Sequence, residues 1–518
     1  MAAVPILAIP PFPGARAPRF AMPGDDRVGE ASTLLTALRI NRVGGCYWGR
    51  QMPLPERGFV LDGAKVPRPG ALLWEPTLDP WPLLDSAGSA RLPVDDPRGL
   101  LVLAAGVPLA LVENDGAERD ADDSDAERLL AAHLTGWCWR SPFDGRAMTA
   151  LDAITLCGTW RRLIDANRRI HSVMGIAYWK KPTVSPLLWA GARVPYGRTL
   201  TDLPEGSAVA IWRARLSRPQ ARAVEQAEAP IFEIEDGFIR SSGLGADCVP
   251  PLSIIVDEDG PHFVPGNPSG IERLLEEGDF SPDLLARARA LRKSIIAGGL
   301  SKYETGAVAE IARPGGERRH VLVPGQVEDD RAVTSGGALA SNLELLRRAR
   351  AEEGADAYLI YKPHPDVLAG HRRGHIAEAD LAMLADRVET SSPMGVLIGM
   401  ADQLHVNSSL AGFEALLRGK AVTVHGVPFY AGWGLTTDRG PVPARRTARR
   451  TLDQIVAAAL ILYPRYLDPQ TGLPCPVEVL VERLAKSVGL QLGFAQAIVV
   501  SARRLQGRLR AKLGQRLI

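Results

Sequence analysis

The chain has 518 residues, of which 46% are hydrophobic and 23% charged, and its formal net charge is +2. This composition is typical of a soluble globular protein with two or three domains, and the small net charge excludes a bulk affinity for nucleic acid. Five scattered cysteines without paired metal-ligand spacing fit a reducing compartment better than a disulfide framework. The N-terminus lacks a signal-peptide pattern, and no apolar run reaches the ~20 residues that span a bilayer, so a cytoplasmic location is expected.

Residues 1–195 are rich in proline and tryptophan and show weak periodicity. The pattern predicts strands at 45–48 and 108–112, an exposed acidic loop at 120–127 and a helix at 148–169. The segment 139–152 loosely parallels 463–477, so this divergent region is interpreted as the remnant of a degenerate module. The alternative is that glycine- and proline-rich turns before helices resemble one another by chance.

From about residue 205, apolar strand-like runs alternate with helical periodicity. Strands are predicted at 208–212, 230–234, 320–324, 357–361, 401–406 and 421–425, and helices at 271–277, 282–297, 341–353 and 408–418. This alternation predicts a doubly wound α/β architecture. A segment rich in glycine, proline and charge at 313–319 is interpreted as a hinge between two Rossmann-like lobes. Two such lobes facing a cleft form a GT-B-like fold. The expected domains are 1–195 (divergent), 196–315 (acceptor-side lobe), 316–490 (nucleotide-binding lobe) and 491–518 (basic amphipathic tail).

Adjacent carboxylates follow two of the predicted strands. Residues 235–241 read Glu-Asp-Gly-Phe-Ile-Arg-Ser, and the glycine permits a sharp turn that aims Glu235 and Asp236 into the cleft. Arg240 suits a substrate carboxylate, which it can bind through two parallel hydrogen bonds. The alternative is a turn with a surface salt bridge.

The second acidic segment, residues 325–330, reads Gly-Gln-Val-Glu-Asp-Asp. Like charges this close repel one another, and a solvated loop tolerates such crowding. The functional interpretation is that one carboxylate points at an electrophilic carbon and forms a covalent glycosyl-enzyme intermediate.

Two further loops suit a phosphate. Flanking prolines hold His364 rigid beside Lys362, which a phosphate contact explains better than a structural histidine. Ser408 or Ser409 caps a helix whose first-turn N–H groups can hold a phosphate, and Glu414 is placed to bond the hydroxyls of a ribose. The alternative for the second loop is a capping motif followed by a surface glutamate.

Together with residues 428–434 (Pro-Phe-Tyr-Ala-Gly-Trp-Gly), these segments resemble the capsule polysaccharide biosynthesis family. Its members include retaining β-Kdo transferases that build a Kdo linker on a lipid acceptor for capsule export. The resemblance covers about residues 205–485, with the motifs in order. It implies a CMP-Kdo donor, no metal ion and a double-displacement mechanism.

The resemblance also implies residue roles. Asp330 would be the nucleophile, with Asp329 as its close rival. Glu235 and Asp236 match an acid/base pattern shared with bacterial sialyltransferases, and His364 matches the contact of those enzymes to the CMP phosphate. The catalytic set is thus Asp330, Glu235, Asp236 and His364; the substrate-binding set is Arg240, Gln326, Asp329, Lys362, Ser408, Ser409 and Glu414, with Arg240 or Lys362 neutralising the sugar carboxylate.

Only one complete motif set is present, since residues 1–195 lack an intact Glu-Asp-Gly, Gln-x-x-x-Asp or His-Pro motif. This favours a single linkage specificity, or a partner that supplies a second activity, over alternating polymerisation. The alternatives are a different CMP-sugar transferase of the sialyltransferase type and a catalytically inactive capsule-export subunit.

The tail at 491–518 repeats leucine every four residues from Leu505, with arginine and lysine between. Such an apolar stripe with cationic surroundings suits an anionic membrane surface; the alternative is a helix that packs on its own domain. The expected partners are a CMP-sugar donor, a glycolipid acceptor, an anionic membrane surface and other capsule synthesis or export proteins, with no nucleic acid. The expected location is peripheral, at the inner face of the cytoplasmic membrane.

Overall fold

A computed structural model describes residues 4–486 of the chain, apart from 17, 25–28, 65–67, 199, 201–202, 240–248, 301–312 and 371. The tail at 491–518 and Arg240 therefore lie outside the described residues. The chain divides into two compact units. The first unit comprises Met1–Ile170, Ser185–Pro195 and Thr471–Pro474, and the second comprises His171–Val184, Tyr196–Gln470 and Cys475–Ile518.

The first unit holds a five-stranded and a three-stranded sheet. Its strands are β1 (Ala21–Pro23), β2 (Phe59–Asp62), β3 (Leu72–Leu73), β4 (Ala87–Pro93), β5 (Leu109–Val112), β6 (Glu118–Asp120), β7 (Trp137–Arg140) and β8 (Ala147–Met148). Its helices are α1 (Ala31–Asn41), α2 (Pro80–Ser86), α3 (Arg98–Ala105), α4 (Asp123–Leu130) and α5 (Ala150–Asn167), with a π-helix at Ala131–Thr135. The larger sheet has the order β3-β2-β4-β5-β6, parallel except for β6, and the smaller has the antiparallel order β1-β7-β8.

Two predictions for the first unit are confirmed and two are wrong. β5 and α5 confirm the strand at 108–112 and the helix at 148–169. Residues 45–48 form turns rather than a strand, because Gly44 and Gly45 have φ values of 108° and 57°, outside the extended region. The acidic run at 120–127 is largely helical: Asp122 and Asp125 form a capping box that starts α4, and Asp125 pairs with Arg119.

The second unit is built on two six-stranded sheets. Its strands are β9 (Ile170–Met174), β10 (Ala208–Ile211), β11 (Ile231–Asp236), β12 (Ser253–Asp257), β13 (His320–Pro324), β14 (Tyr358–Lys362), β15 (Arg387–Val388), β16 (Gln403–Val406), β17 (Ala421–Val424), β18 (Thr437–Asp438), β19 (Arg465–Leu467) and β20 (Pro474–Cys475). The strand orders are β20-β19-β12-β11-β10-β9 and β15-β14-β13-β16-β17-β18. All pairings in the second of these sheets are parallel.

Helices accompany both sheets. They are α6 (Lys181–Leu187), α7 (Arg218–Glu225), α8 (Gly270–Glu277), α9 (Pro282–Ala297), α10 (Arg331–Gly336), α11 (Asn342–Glu353), α12 (Pro365–Leu368), α13 (Glu378–Leu384), α14 (Met394–Met400), α15 (Leu410–Leu417), α16 (Leu452–Val456) and α17 (Val477–Ala485), with a π-helix at Ala457–Leu462. The strands and helices predicted after residue 205 are confirmed to within a few residues, and so is a mixed α/β fold. Among the described residues, no helix combines the length and apolarity needed to cross a bilayer.

The parallel sheet is buried on both faces. Leu322 of β13 enters one hydrophobic core, and its neighbours Val321 and Val323 enter another on the opposite face. Strands buried in this way read as continuous apolar runs, which is why the sequence marks them clearly. The loops at the carboxyl ends of these strands are therefore held by a rigid support.

Candidate functional site

Loops from both sheets of the second unit line one cavity of about 700 Å³. This volume is ordinary for a small-molecule site. The cavity brings together most of the predicted site residues, namely Glu235, Asp236, Gln326, Asp330, Lys362, His364, Ser408, Ser409 and Glu414. Asp329 is not among its lining residues, and Arg240 lies outside the described part of the chain.

The two carboxylates at the end of β11 each have a cationic partner. Arg331 Nη1 lies 2.9 Å from Glu235 Oε1, and Lys180 Nζ lies 3.3 Å from Asp236 Oδ1. Burial raises the pKa of Glu235 from its ordinary value of 4.5 to about 7, against the lowering effect of Arg331. Position 237, directly after Asp236, requires glycine, because a Cβ there would lie 2.2 Å from the hydroxyl of Ser253 on β12. Glycine is thus required by the close approach of β12, and both carboxylates line the cavity.

Lys180 and Arg331 are residues that the sequence analysis missed. Lys180 ends a short 3₁₀ helix, Tyr178–Lys180, in a region interpreted as divergent. A Trp-Lys-Lys run at 179–181, soon after the apolar run of β9, was the available signal. Arg331 directly follows the acidic segment and begins α10, so its position beside a predicted nucleophile was the signal there.

The three consecutive acids after β13 have separate environments. Glu328 Oε1 accepts the backbone N–H of Asn342 at 2.8 Å. Asp329 pairs with Arg372 at 3.1 Å; burial opposes its ionisation, but the hydrogen bond and charge of Arg372 outweigh this and lower the pKa of Asp329. Asp330 caps α10, accepting the N–H of Ala332 at 3.3 Å, and lines the cavity. Their contacts therefore distinguish acids that the sequence leaves equivalent.

Gln326 and Ser408 connect the loops after β13 and β16. The backbone N–H of Ser408 donates to Gln326 Oε1 at 3.0 Å, and Gln326 Nε2 donates to Ser408 Oγ at 3.3 Å. Ser408 Oγ also donates to the carbonyl of Ala332 at 2.9 Å. Ser409 is the N-cap of α15, where its Oγ accepts the N–H of Ala411 at 3.2 Å. The start of α15 is thus fixed at the cavity wall.

The loop after β14 presents a histidine with a defined tautomer. His364 Nδ1 accepts the backbone N–H of Asp366 at 3.2 Å, so the ring proton of a neutral His364 belongs on Nε2, which is then a donor. Lys362 is buried, and its Nζ donates to the carbonyl of Ser392 at 2.7 Å. Glu414 is buried with only 8% of its surface exposed, so the alternative of a surface glutamate is wrong.

Aromatic rings pack behind these loops. Phe238, just past β11, stacks on Phe429 with ring centroids 4.4 Å apart. The buried Tyr430 hydroxyl donates to the carbonyl of Ser409. A Cβ on Gly412 would lie 2.3 Å from that hydroxyl, so glycine is required where α15 meets Tyr430. The segment 428–434 therefore supports the start of α15 from inside the protein.

A second cluster of ionisable groups lies outside the cavity lining. One ligand atom from each of Glu352, His405 and His425 falls within 4.8 Å of the others. His405 contacts Glu353 at 2.8 Å and faces His425 at 3.1 Å, and Glu352 pairs with Arg439. Burial lowers the pKa of both histidines, to about 4 for His425, so both are neutral at neutral pH. The cluster contains no predicted site residue.

Several known proteins are similar to this chain in sequence. The profile of the family described as "Capsule polysaccharide biosynthesis protein" matches residues 207–466. The chain is 36% identical to "Capsule polysaccharide modification protein LipA" of Neisseria meningitidis serogroup A, over 72% of this chain and 54% of LipA. It is 38% identical to "Lipopolysaccharide-processing protein LpsZ" of Rhizobium meliloti, over 64% of this chain and 78% of LpsZ. The chain thus spans about half the length of LipA.

A solved structure is also similar. It is that of "Thermosulfurimonas dismutans KpsC, beta Kdo 2,4 transferase", with a TM-score of 0.53 and 32% sequence identity. The match covers 61% of this chain and 98% of the solved one.

Proposed function

Because the chain belongs to the capsule polysaccharide biosynthesis protein family, we propose that it is a retaining glycosyltransferase that moves β-Kdo from CMP-Kdo to a lipid-linked acceptor in capsule linker synthesis. The observation that carries the proposal is the shared cavity, where carboxylates from one sheet face phosphate-type loops from the other. The similarity to a β-Kdo transferase supports the sugar class. A GT-B arrangement is part of the proposal, because two sheets present their loops to one cleft.

The CMP half of the donor is assigned to the loops of the parallel sheet. His364 Nε2–H donates to the phosphate, and the N–H groups at the start of α15 add positive potential. Gln326 keeps that helix start in place through Ser408. Glu414, buried in the cavity wall, accepts hydrogen bonds from the ribose hydroxyls.

The sugar half of the donor is assigned to the carboxylates of the cavity, namely Asp330 in the loop after β13 and Glu235 and Asp236 at the end of β11. In the first step, a carboxylate oxygen of Asp330 bonds to the anomeric carbon, and the bond from that carbon to the CMP phosphate oxygen breaks with its electron pair on the phosphate. In the second step, an acceptor hydroxyl oxygen bonds to the same carbon and the Asp330 ester bond breaks. Two inversions give net retention.

Glu235 is assigned the proton transfer. The acceptor hydroxyl loses its proton as it attacks, and a base near neutral pKa in the cavity is suited to receive it. The Glu235 carboxyl meets this condition because burial raises its pKa to about 7. Asp236, its neighbour, is the alternative base, and its Oδ1 lies 3.3 Å from Lys180 Nζ.

The proposal includes no metal ion. The departing phosphate is balanced by His364, by the N-terminus of α15 and by the Lys362 ammonium, all of which belong to the cavity wall. We therefore expect transfer to proceed at an unchanged rate in excess EDTA. A rate that falls with EDTA and returns with a divalent cation would contradict this part of the proposal.

Because the proposed acceptor is linked to a lipid, the proposal places the reaction at the cytoplasmic surface of a membrane. The basic leucine-repeat tail at 491–518 is the segment proposed to bind anionic lipid. Deleting residues 501–518 should weaken binding to anionic vesicles while leaving CMP release from the donor unchanged. Equal vesicle binding by the truncated protein would remove the tail from the proposal.

Donor turnover and intact-mass analysis test the proposed function. Incubation with CMP-Kdo should release CMP, and peptide mapping should find a sugar adduct on Asp330. CMP-sialic acid is the matched control donor: CMP release from it and not from CMP-Kdo would favour a sialyltransferase-like enzyme. Release from neither donor, by a folded protein that binds CMP, would favour an inactive subunit.

A further inference from the structure

A buried lysine from outside the recognised motifs reaches the carboxylates of the cavity. Lys180 belongs to His171–Val184, a segment of the second unit that precedes the family match at 207–466. Only 6% of its surface is exposed. Its Nζ lies 3.3 Å from Asp236 Oδ1 and 3.2 Å from the centroid of the Trp212 ring.

This placement restricts the lysine strongly. An ammonium over an aromatic face is attracted by the ring, and the attraction increases when water is removed. Trp212 directly follows β10, beside the strand that carries Asp236, and its backbone N–H donates to Met174 of β9 at 3.0 Å. The ring and the carboxylate therefore hold the Lys180 ammonium from two sides.

We infer that Lys180 is a positioning residue of the reaction centre, which fixes the Asp236 carboxylate and supplies part of the positive charge that sets the protonation of Glu235. The inference rests on the proposed function, because it gives Lys180 a task in the same reaction. It also extends the reaction centre to a segment that the family match does not cover.

The charges around Glu235 show why one cation matters. On its own strand, Asp236 and Glu233 raise its pKa, and Glu233 is itself paired with Arg213. Across the cavity, Arg331 of α10 lowers it. The Tyr463 hydroxyl, after the second π-helix, is neutral because burial raises its pKa well above 10.

Lys180 is the second cation that lowers the pKa of Glu235, after Arg331. Burial remains the largest influence and acts in the opposite direction. Removing the Lys180 charge would leave the acids of β11 less compensated, so the pKa of Glu235 would rise further. Any limb of the pH–rate profile that reports Glu235 then moves to higher pH, whether the carboxyl acts as acid or as base.

The first experiment compares pH profiles of kcat/KM for CMP-Kdo turnover. Lys180→Met keeps the length of the side chain and removes its charge, and we expect a shift of roughly one pH unit upward. Lys181→Met is the matched control, because Lys181 Nζ lies over the Tyr196 ring at 4.7 Å instead of at Asp236. Lys180→Arg should restore most of the wild-type profile. An unshifted profile in Lys180→Met would overturn the inference.

A second measurement does not depend on turnover. Infrared difference spectra recorded during pH titration should show a carboxyl band that titrates near pH 7 in the wild type and is absent in Glu235→Gln. That band should titrate at higher pH in Lys180→Met, or in Lys180→Gln if the methionine variant does not fold. The same titration point in wild type and variants would overturn the inference. If the wild type releases no CMP from CMP-Kdo, the proposed function fails, while this titration still tests the charge role of Lys180.

Discussion

The five-stranded sheet of the first unit and the parallel sheet of the second follow the same plan. The order β3-β2-β4-β5-β6 corresponds to β14-β13-β16-β17-β18, with β15 as an added edge strand. In both sheets a single helix, α3 or α15, connects the third and fourth of these strands. One difference is that β6 is antiparallel to its neighbour, whereas β18 is parallel.

The correspondence continues beyond the sheets. In the first unit α4, a π-helix, β7, β8 and α5 follow in order; in the second unit α16, a π-helix, β19, β20 and α17 do. The π-helices at Ala131–Thr135 and Ala457–Leu462 occupy the same place in each series. Because π-helices are rare, their recurrence supports the interpretation of residues 1–195 as the remnant of a degenerate module.

The loops at the strand ends differ in kind. After β16, Ser409 caps α15 and Gln326 bonds Ser408, so polar groups border the cavity. After β4, helix α3 has Pro97 as its N-cap; the Asp96 carboxylate accepts the backbone N–H of Arg98 at 2.9 Å and pairs with the Arg98 guanidinium at 2.6 Å. The two sheets thus share a strand order but differ in the chemistry of their loops, so function must be inferred from the loops.

Arg98 lies in the first unit at the strand end that corresponds to the proposed phosphate loops of the second. Its Nη1 donates to the carbonyl of Trp74 at 2.6 Å and its Nη2 to the carbonyl of Gly63 at 3.2 Å. Gly63 follows β2 as Gly325 follows β13, and a Cβ there would lie 2.6 Å from the Arg98 guanidinium. The protein's own cation therefore occupies this strand end.

The largest effect is expected at Asp330, the proposed nucleophile. Asp330→Asn should lower kcat by roughly a thousandfold or more, because the amide is a poor nucleophile. It should retain the cap of α10 and hence CMP binding, measured by calorimetry. Asp329→Asn is the control and should change kcat less than about tenfold. The reverse ranking would transfer the nucleophile to Asp329.

A second large effect is expected at Glu235. Glu235→Gln should lower kcat/KM by roughly a hundredfold and remove the limb of the pH profile near pH 7. Its folded pKa is above the ordinary 4.5, so the stability it contributes is present below pH 4.5 and lost as the pH rises through about 7.

Glu235→Gln should therefore gain stability relative to wild type as the pH rises from 4.5 through about 7, as measured by urea unfolding. A constant difference in unfolding free energy from pH 4 to pH 8 would contradict the raised pKa of Glu235.

A smaller effect is expected at the connection between the phosphate loops. Gln326→Ala removes two hydrogen bonds to Ser408 and should weaken CMP binding by roughly tenfold. The comparison with the first unit supplies the control, because Arg98→Ala alters the corresponding strand end there. Unchanged CMP affinity in Gln326→Ala, or an equal loss in Arg98→Ala, would break the distinction between the two sheets.

The smallest effect on turnover is expected in the first unit. Arg98→Ala should leave CMP-Kdo turnover within about twofold of wild type while lowering stability by about 2–4 kcal/mol, because Asp96 and two carbonyls lose their donor. Denaturant unfolding measures the stability. Arg146→Ala is the control: the Arg146 side chain is 79% exposed, so its ion pair with Asp144 should contribute little.

Much of the second unit could be predicted because its signals are local. Continuous apolar runs mark the strands of the parallel sheet, and loops directly after them carry Asp330, His364 and Ser408. The contact of Lys180 with Asp236 could not be predicted, because it joins residues 56 apart in sequence. Which of the adjacent acids faces the cavity also depends on tertiary partners, such as Arg372 for Asp329.

The errors in the first unit have specific causes. The acidic run at 120–127 was interpreted by its charge, although the spacing of Asp122 and Asp125 is that of a capping box. At 45–48, apolar and aromatic residues favoured a strand, but the left-handed conformation at Gly45 bends the chain. At 120–127 the capping box, and at 45–48 the conformation of Gly45, determined the local structure against the composition of the segment.

The bond from Ser408 Oγ to the carbonyl of Ala332 has a mechanical consequence. Ala332 is also the residue whose N–H donates to the Asp330 carboxylate, so one residue connects Ser408, at the start of α15, with Asp330. In the proposed reaction, a displacement of Ser408 as CMP leaves would pass through Ala332 to the Asp330 carboxylate.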